Sequence, residues 1–306
     1  MTGFPTTGRG RADLPAWRSI LYVPANVPRY LAKAAEAGPD AVQLDLEDSI
    51  APAEKERARE AVGQAARQLR AKGIDVSVRI NQPLSLAVRD VEAVVGPDVG
   101  TIALTKVGGR SHVRLFDELV SECESRRQLA LGHTRFIIAI ETPEAFEDML
   151  EIAKASPRAV AMILGAEDLA LEWGCEPIED VMRMPKQRLI AAARAAGILP
   201  LGMLGSITDF RDMEAFRAMV RRSRQFGFEG ATCIHPSQVA VLNDEYMPSQ
   251  EQLDSARNIV ALDAEASAQG RGAFQVGGRM IDAPIVQRAR RLLARAGRLQ
   301  EGHGAA

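Results

Sequence analysis

The chain has 306 residues, 46% of them apolar and 25% charged, the balance of an ordinary folded protein of enzyme size. A formal net charge of −2 and a pI near 6.2 give no electrostatic reason to expect nucleic acid or an anionic membrane as partner. Three widely separated cysteines, Cys123, Cys175 and Cys233, argue against a disulfide framework or a thiolate zinc site, and fit a reducing compartment.

Residues 1–16, with Gly, Thr and Pro, read as a flexible lead-in without the apolar core of a signal peptide. No apolar run approaches the roughly 20 residues that span a bilayer, so the expected location is cytoplasmic. Eight short apolar segments follow, at 18–23, 41–46, 76–80, 101–105, 135–140, 160–165, 199–204 and 231–235. Most lack polar alternation, as expected of strands buried on both faces of a parallel sheet. Helical patterns at 28–37, 52–72, 86–95, 113–131, 143–155, 185–196 and 209–226 separate them, with proline near several starts and glycine after several ends. Eight such units predict an α/β fold, a (β/α)8 TIM barrel over residues 17–247, with its chemistry at the C-terminal ends of the strands. Beyond it, a helix at 250–269, a hairpin at 274–280 and a helix at 283–296 make a C-terminal helical extension, residues 248–306. The extension is too small for a core of its own and should pack on the barrel or on a neighbouring subunit.

The strand ends carry the chemistry. Glu141 follows the apolar run 136–140, and Asp168 follows the run 161–165 in the corresponding place. Two carboxylates on adjacent strand ends suit a hard divalent cation, which keeps its other positions for water and substrate oxygens. The same two acids would also serve as helix N-terminal acids. Asp45, Glu47 and Asp48 close the second strand and could hydrogen-bond metal-bound waters, although Asp48 would equally cap the helix near Pro52. Arg79, a charge inside an apolar strand, needs a carboxylate partner, either a barrel acid or an anionic substrate. Lys106 is a Schiff-base candidate, with an electrostatic role favoured beside a metal. His235 reads first as a structural residue at a strand end.

These residues fall into ordered motifs that resemble one family. Arg18-Ser19-Ile20-Leu21-Tyr22-Val23-Pro24 and Asp45-Leu46-Glu47-Asp48-Ser49-Ile50-Ala51-Pro52 are similar to the opening of citrate lyase β-subunit-like proteins of the HpcH/HpaI aldolase superfamily. Val78-Arg79-Ile80-Asn81, Leu104-Thr105-Lys106-Val107, Ile140-Glu141-Thr142-Pro143, Gly165-Ala166-Glu167-Asp168-Leu169 and Cys233-Ile234-His235-Pro236 continue the resemblance in order. It implies a metal-dependent carbon–carbon lyase using Mg2+, with Mn2+ as an alternative, on a substrate that includes coenzyme A. By position, Glu141 and Asp168 are the implied metal ligands, with Glu141 also facing substrate, and Arg79 is the implied substrate-carboxylate arginine.

Met280-Ile281-Asp282-Ala283-Pro284 resembles the C-terminal motif of malyl-CoA and citramalyl-CoA lyases. There the aspartate enters a neighbouring subunit's site in a trimer, so a homotrimer with catalytic Asp282 is implied. Read from the sequence alone, Asp282 is an equally good N-cap for the last helix. The resulting expectation is cleavage or formation of a short 3-hydroxyacyl-CoA such as citramalyl-CoA, malyl-CoA or citryl-CoA, giving acetyl-CoA plus a 2-keto acid or glyoxylate. Three alternatives stay open: an acyl-CoA thioesterase, a Mg2+ aldolase on CoA-free 2-keto acids, and a lyase subunit dependent on an acyl-carrier partner.

Overall fold

In the computed structural model, which describes residues 14–207, 212–270 and 272–304, the apolar segments form eight parallel strands. They are β1 (Ser19–Pro24), β2 (Ala41–Asp45), β3 (Asp75–Arg79), β4 (Thr101–Leu104), β5 (Arg135–Ile140), β6 (Ala159–Leu164), β7 (Leu199–Pro200) and β8 (Ala231–Cys233). The lead-in lies outside the described residues up to position 13, as does Asp209, the expected start of the seventh helix. Each strand is followed by helix. These are α1 (Pro28–Ala37), α2 (Lys55–Arg70), α3 (Leu84–Val94), α4 (Arg110–Arg126), the short α5 (Pro143–Glu147) and α6 (Met149–Ala153), α7 (Ala166–Trp173), α8 (Glu179–Ala196), α9 (Met213–Phe226) and α10 (Pro236–Tyr246). Among the described residues no helix is long and apolar enough to cross a membrane.

Period-two alternation divides the strand side chains between two apolar clusters. Val42, Leu44, Val76, Val78, Ile102, Leu104, Phe136 and Ile138 pack outward with the helices. Ile20, Ala41, Ala103, Ile137, Ala139 and Ile163 form a separate cluster on the opposite, inner face. Burial on both faces explains why the strands read as nearly continuous apolar runs.

The sheet is not the closed barrel expected from eight units. Its order is β7-β6-β5-β4-β3-β2-β1-β8, curled but without a β7–β8 ladder; one isolated bridge, Leu201 to Gly230, lies between its ends. The expected seventh strand, 199–204, is cut to two residues. Pro200 lacks an N–H, and Gly202 takes φ +145°, outside strand geometry. Side chains then occupy the backbone that a ladder would use. Leu204 N donates to Ser223 Oγ at 2.9 Å, and Leu204 O accepts from the buried Lys186 Nζ at 2.6 Å. Gln238 spans the seam: its Oε1 accepts from the N–H groups of Ile234 and His235, and its Nε2 donates to Ile207 O.

Helix α8 corrects a second expectation. It starts at Glu179 and carries Pro185 inside it, rather than starting there. Glu179 and Asp180 in its first turn favour the earlier start through the helix dipole. The chain divides at residues 246 and 247 into two compact units. In the second, α11 (Gln250–Ala268), opened by a Ser249/Gln252 capping box, packs on α12 (Ala283–Gly304), and β9 (Phe274–Val276) pairs with β10 (Arg279–Ile281).

At the N-terminal ends of β5 and β6, a buried ionic network ties α4 to the sheet. The Glu124 carboxylate accepts from Arg158 Nη1 and Nη2 at 2.8 and 2.7 Å, and from the N–H groups of Thr134 and Gly132 at 2.7 and 2.9 Å. Burial opposes its charge, but these four donors outweigh burial and hold the carboxyl below its usual range. A depressed folded pKa contributes stability in full above the unfolded value, and that contribution is lost as pH falls through the folded one. Glu124→Gln should therefore lower stability by about 1–3 kcal/mol at pH 7, by leaving Arg158 with Asp117 as its one charged partner. The gap between wild type and variant should narrow below about pH 4. Urea denaturation at both pH values checks this; a gap that does not change with pH would contradict it.

Candidate active site at the strand ends

Register sets the floor of the site. Tyr22, Gln43 and Ser77 pair across β1, β2 and β3 on the inner face, and Asp45 pairs with Arg79 one layer nearer the C-terminal ends. The Arg79 fork closes on Asp45, with Nε 2.7 Å from Oδ1 and Nη2 2.8 Å from Oδ2. Its Nη1 lies 2.9 Å from Glu47 and 3.6 Å from Asp48, and its Cζ sits 5.0 Å from the Tyr22 ring centroid. Burial opposes charge on Asp45, yet the guanidinium wins and holds the carboxyl low. Burial pushes the Tyr22 phenol up, against the pull of Arg79. Asp45 is thus the protein carboxylate that the buried Arg79 needs. Tyr22 was not singled out as a site residue, although a polar ring inside an apolar strand, at the parity of Gln43 and Asp45, marks the inner face.

Asp45 also organises the loop above it, accepting from the N–H groups of Glu47 and Ser49 at 3.0 and 3.1 Å. Asp48 points elsewhere: the turn at Pro52 has Ala51 in the cap position and no side-chain cap, so Asp48 does not cap it. A residue missed in the sequence holds this loop from outside. Lys55 Nζ donates to Leu46 O at 2.7 Å, Glu47 O at 2.6 Å and Asn81 Oδ1 at 2.7 Å, while Asn81 Nδ2 donates to Asp90 Oδ2 at 2.6 Å. Burial lowers the Lys55 pKa from its ordinary value. A signal for it existed: a lysine at the first position of α2 opposes the helix dipole and needs another reason to be there.

Lys106 joins the remaining acids. It has φ +45°, a left-handed conformation uncommon outside glycine, which turns its N–H onto Glu141 Oε2 at 2.7 Å. Its Nζ lies 3.0 Å from Glu47 Oε1, 3.5 Å from Asp168 Oδ1 and 4.0 Å from Asp48 Oδ1. Burial works against this ammonium, but the neighbouring acids outweigh it and raise the pKa. Asp168 stands in the first turn of α7 rather than on the strand itself, so the helix-terminus and mouth readings of this acid coexist. Glu141 is buried, and that burial, with Asp168 and Glu47 adding to it, pushes its carboxyl up to about 7. The Glu47 carboxyl is likewise raised, first by burial. Five acids, Asp45, Glu47, Asp48, Glu141 and Asp168, thus meet the cations Arg79 and Lys106. Glu141 and Asp168 both border Lys106, through its N–H and its Nζ; among the described residues no three or more His, Cys, Asp or Glu form a group that could hold a metal ion.

Two further candidates remain. His235 is exposed, with Nδ1 2.7 Å from Ser237 Oγ and 3.2 Å from Ser237 N at the start of α10, a structural arrangement. Asp282 lies in the second unit, exposed, with Oδ1 accepting from Ile285 N at 3.4 Å in the manner of a helix cap.

Gly165 is where the site tolerates no side chain. A Cβ there would lie 2.4 Å from Glu141 Cγ and 2.6 Å from its Oε1. Its φ of −78° suits any residue, so the requirement is space and not backbone freedom. Gly165→Ala should displace the Glu141 carboxylate, lowering kcat/KM about 100-fold and stability by about 1–3 kcal/mol. Steady-state kinetics and thermal melting check both, and near-wild-type turnover would show that Glu141 placement does not matter.

Comparisons with known proteins identify the family. The family model for HpcH/HpaI aldolase/citrate lyase matches residues 18–236. The chain is 31% identical over 292 residues to the citrate lyase subunit beta of Leuconostoc mesenteroides subsp. cremoris, covering 94% of this chain and 96% of that one. It is 35% identical over 298 residues to the L-malyl-CoA/beta-methylmalyl-CoA lyase of Cereibacter sphaeroides, covering 89% and 92%. Among solved structures, protein CitE from Mycobacterium tuberculosis, in complex with magnesium, acetoacetate and coenzyme A, superposes with a TM-score of 0.72 at 32% identity, over 94% of this chain and 99% of that one. The chain belongs to the HpcH/HpaI aldolase/citrate lyase family and is a carbon–carbon lyase of its citrate lyase β-subunit class.

Proposed function

We propose that this chain, a Mg2+-dependent lyase of CoA thioesters, holds its metal with Glu141 and Asp168. Its substrate is a short 3-hydroxyacyl-CoA such as citramalyl-CoA, malyl-CoA or citryl-CoA, and its products are acetyl-CoA and a 2-keto acid or glyoxylate. The observation that carries this reading is the buried Glu141 carboxyl, held by Lys106 N–H and raised to about 7 by burial and the nearby acids. A carboxylate in such an acidic surplus gains strongly from a hard dication, and magnesium asks for only one or two protein carboxylates. Support also comes from the malyl-CoA lyase relative and from the magnesium, acetoacetate and coenzyme A bound by the solved neighbour.

When bound, Mg2+ supplies Lewis-acid polarisation of the keto-acid carbonyl. The chain's own groups do the rest. Arg79 keeps its Nε–Nη2 edge on Asp45, and its Nη1 takes the substrate carboxylate by exchanging it for Glu47, 2.9 Å away. Glu47 and Asp48, fastened by the Asp45 loop and by Lys55, border the mouth. Asp282 of a neighbouring copy exchanges the proton on the acetyl-CoA methyl, removing it in synthesis and returning it in cleavage. The C-terminal extension then packs on that neighbour in a homotrimer, and the enzyme works in the cytoplasm.

A panel of acyl-CoA thioesters with Mg2+, read by mass spectrometry, should give acetyl-CoA and a keto acid. Free CoA with the intact hydroxy acid would point to hydrolysis and overturn the lyase reading. Glu141→Ala and Asp168→Ala should each lower kcat/KM by at least about 1,000-fold while the proteins stay folded. Undiminished turnover in EDTA would remove the metal from the reaction.

The shared site has its own test. Inactive Asp282→Ala subunits mixed with inactive Glu141→Ala subunits, under exchange conditions, should recover part of the activity. Verified mixed oligomers that stay inactive, or an active monomer, would leave Asp282 as a helix cap only.

A further inference from the structure

Lys106 combines two features that ordinarily belong to different residues. Its backbone N–H, aimed by the left-handed φ of +45°, fixes Glu141 at 2.7 Å. Its side chain, 30% exposed, reaches the other candidate ligand, with Nζ 3.5 Å from Asp168 Oδ1 and 3.0 Å from Glu47 Oε1. The backbone contact does not depend on where the ammonium goes. Arg79 differs in this respect, because two parallel hydrogen bonds lock its planar fork onto Asp45 at 2.7 and 2.8 Å. A lysine ammonium is a point charge on a flexible stem, with no such lock and with solvent beside it.

We propose that Lys106 is an internal counter-ion that competes with the metal: its ammonium neutralises Asp168 and Glu47 in the metal-free chain, and Mg2+ gains Asp168 only by displacing it. This rests on the assignment of Glu141 and Asp168 as the metal pair. Its consequence is that Lys106 weakens Mg2+ binding while its own peptide N–H keeps Glu141 in place to receive the ion. The competing idea, a lysine that builds the metal site, makes the opposite prediction. Removing a builder weakens binding, whereas removing a competitor tightens it.

The test is calorimetric titration of Mg2+ into substrate-free protein, so that turnover is not the readout. Lys106→Gln and Lys106→Asn should bind Mg2+ roughly 3- to 10-fold tighter than wild type, the scale of one or two partly exposed ion pairs. The asparagine variant accepts the left-handed backbone more readily and keeps the test valid if the glutamine variant folds poorly. Lys106→Arg, which restores a cation, should bind as wild type does, and Asp168→Ala should lose most of the affinity. If the neutral variants bind Mg2+ equally or more weakly, while wild type binds it and Asp168→Ala does not, the competition is overturned and the metal assignment stands. If wild type binds no Mg2+, or Asp168→Ala binds it unchanged, both ideas fall together.

Discussion

A carboxylate buried between apolar strands keeps its charge only when a cation is buried with it, and in this protein the first such pair is Asp45 with Arg79. The pair is set by register, because β2 and β3 place the two residues opposite each other on the inner face. Once neutralised, Asp45 still has lone pairs to spare, and it uses them on the N–H groups of Glu47 and Ser49. That folds the loop so that Glu47 meets both Arg79 and Lys106. Lys106 in turn holds Glu141 and reaches Asp168. The acids at the mouth are therefore joined by one run of contacts that begins at the Asp45–Arg79 fork.

The two ends of the strands handle buried charge differently. At the N-terminal ends, Glu124 and Arg158 satisfy each other, and backbone N–H groups complete the carboxylate's partners. That network is closed and serves cohesion between α4 and the sheet. At the C-terminal ends, acids outnumber the cations that meet them, and Glu141 and Glu47 are pushed toward their protonated forms. A surplus of this kind lowers stability and is the local charge that a dication would relieve.

The open seam between β7 and β8 follows from local chemistry as well. A proline and a positive-φ glycine end the seventh strand early, and Lys186, Ser223, Gln238 and Tyr246 supply hydrogen bonds to the backbone around the break. The inner apolar cluster still forms, since it needs side-chain parity on the strands and not an uninterrupted ladder. The acids and cations of the mouth come from the β2 to β6 side, where each strand pairs with the next in a parallel ladder, with one register shift, at Phe136/Ile137 between β5 and β6.

Much of this was legible in the chain of letters. Apolar runs of five or six residues located the strands because a strand buried on both faces leaves few polar positions; the boundaries of β5, Arg135–Ile140, were read directly. The acids Glu141 and Asp168 and the arginine Arg79 stood out for the same reason, as charges that an apolar segment would otherwise exclude. The motifs around them also carried the family. What the sequence could not decide was long-range. Whether eight units close depends on hydrogen bonds between segments about thirty residues apart, and a Lys186 or Gln238 side chain that takes a strand's place leaves no periodic trace. Lys55 stood out only by its place at the start of α2, and its partners were hidden for a similar reason, since its three acceptors lie on the loops after β2 and β3. The partner of Arg79 was likewise left open between substrate and protein, and only the β2–β3 register placed Asp45 in its fork. Composition and periodicity report on burial, which is a property of each residue; pairing is a property of two, and tertiary structure alone brings the two together.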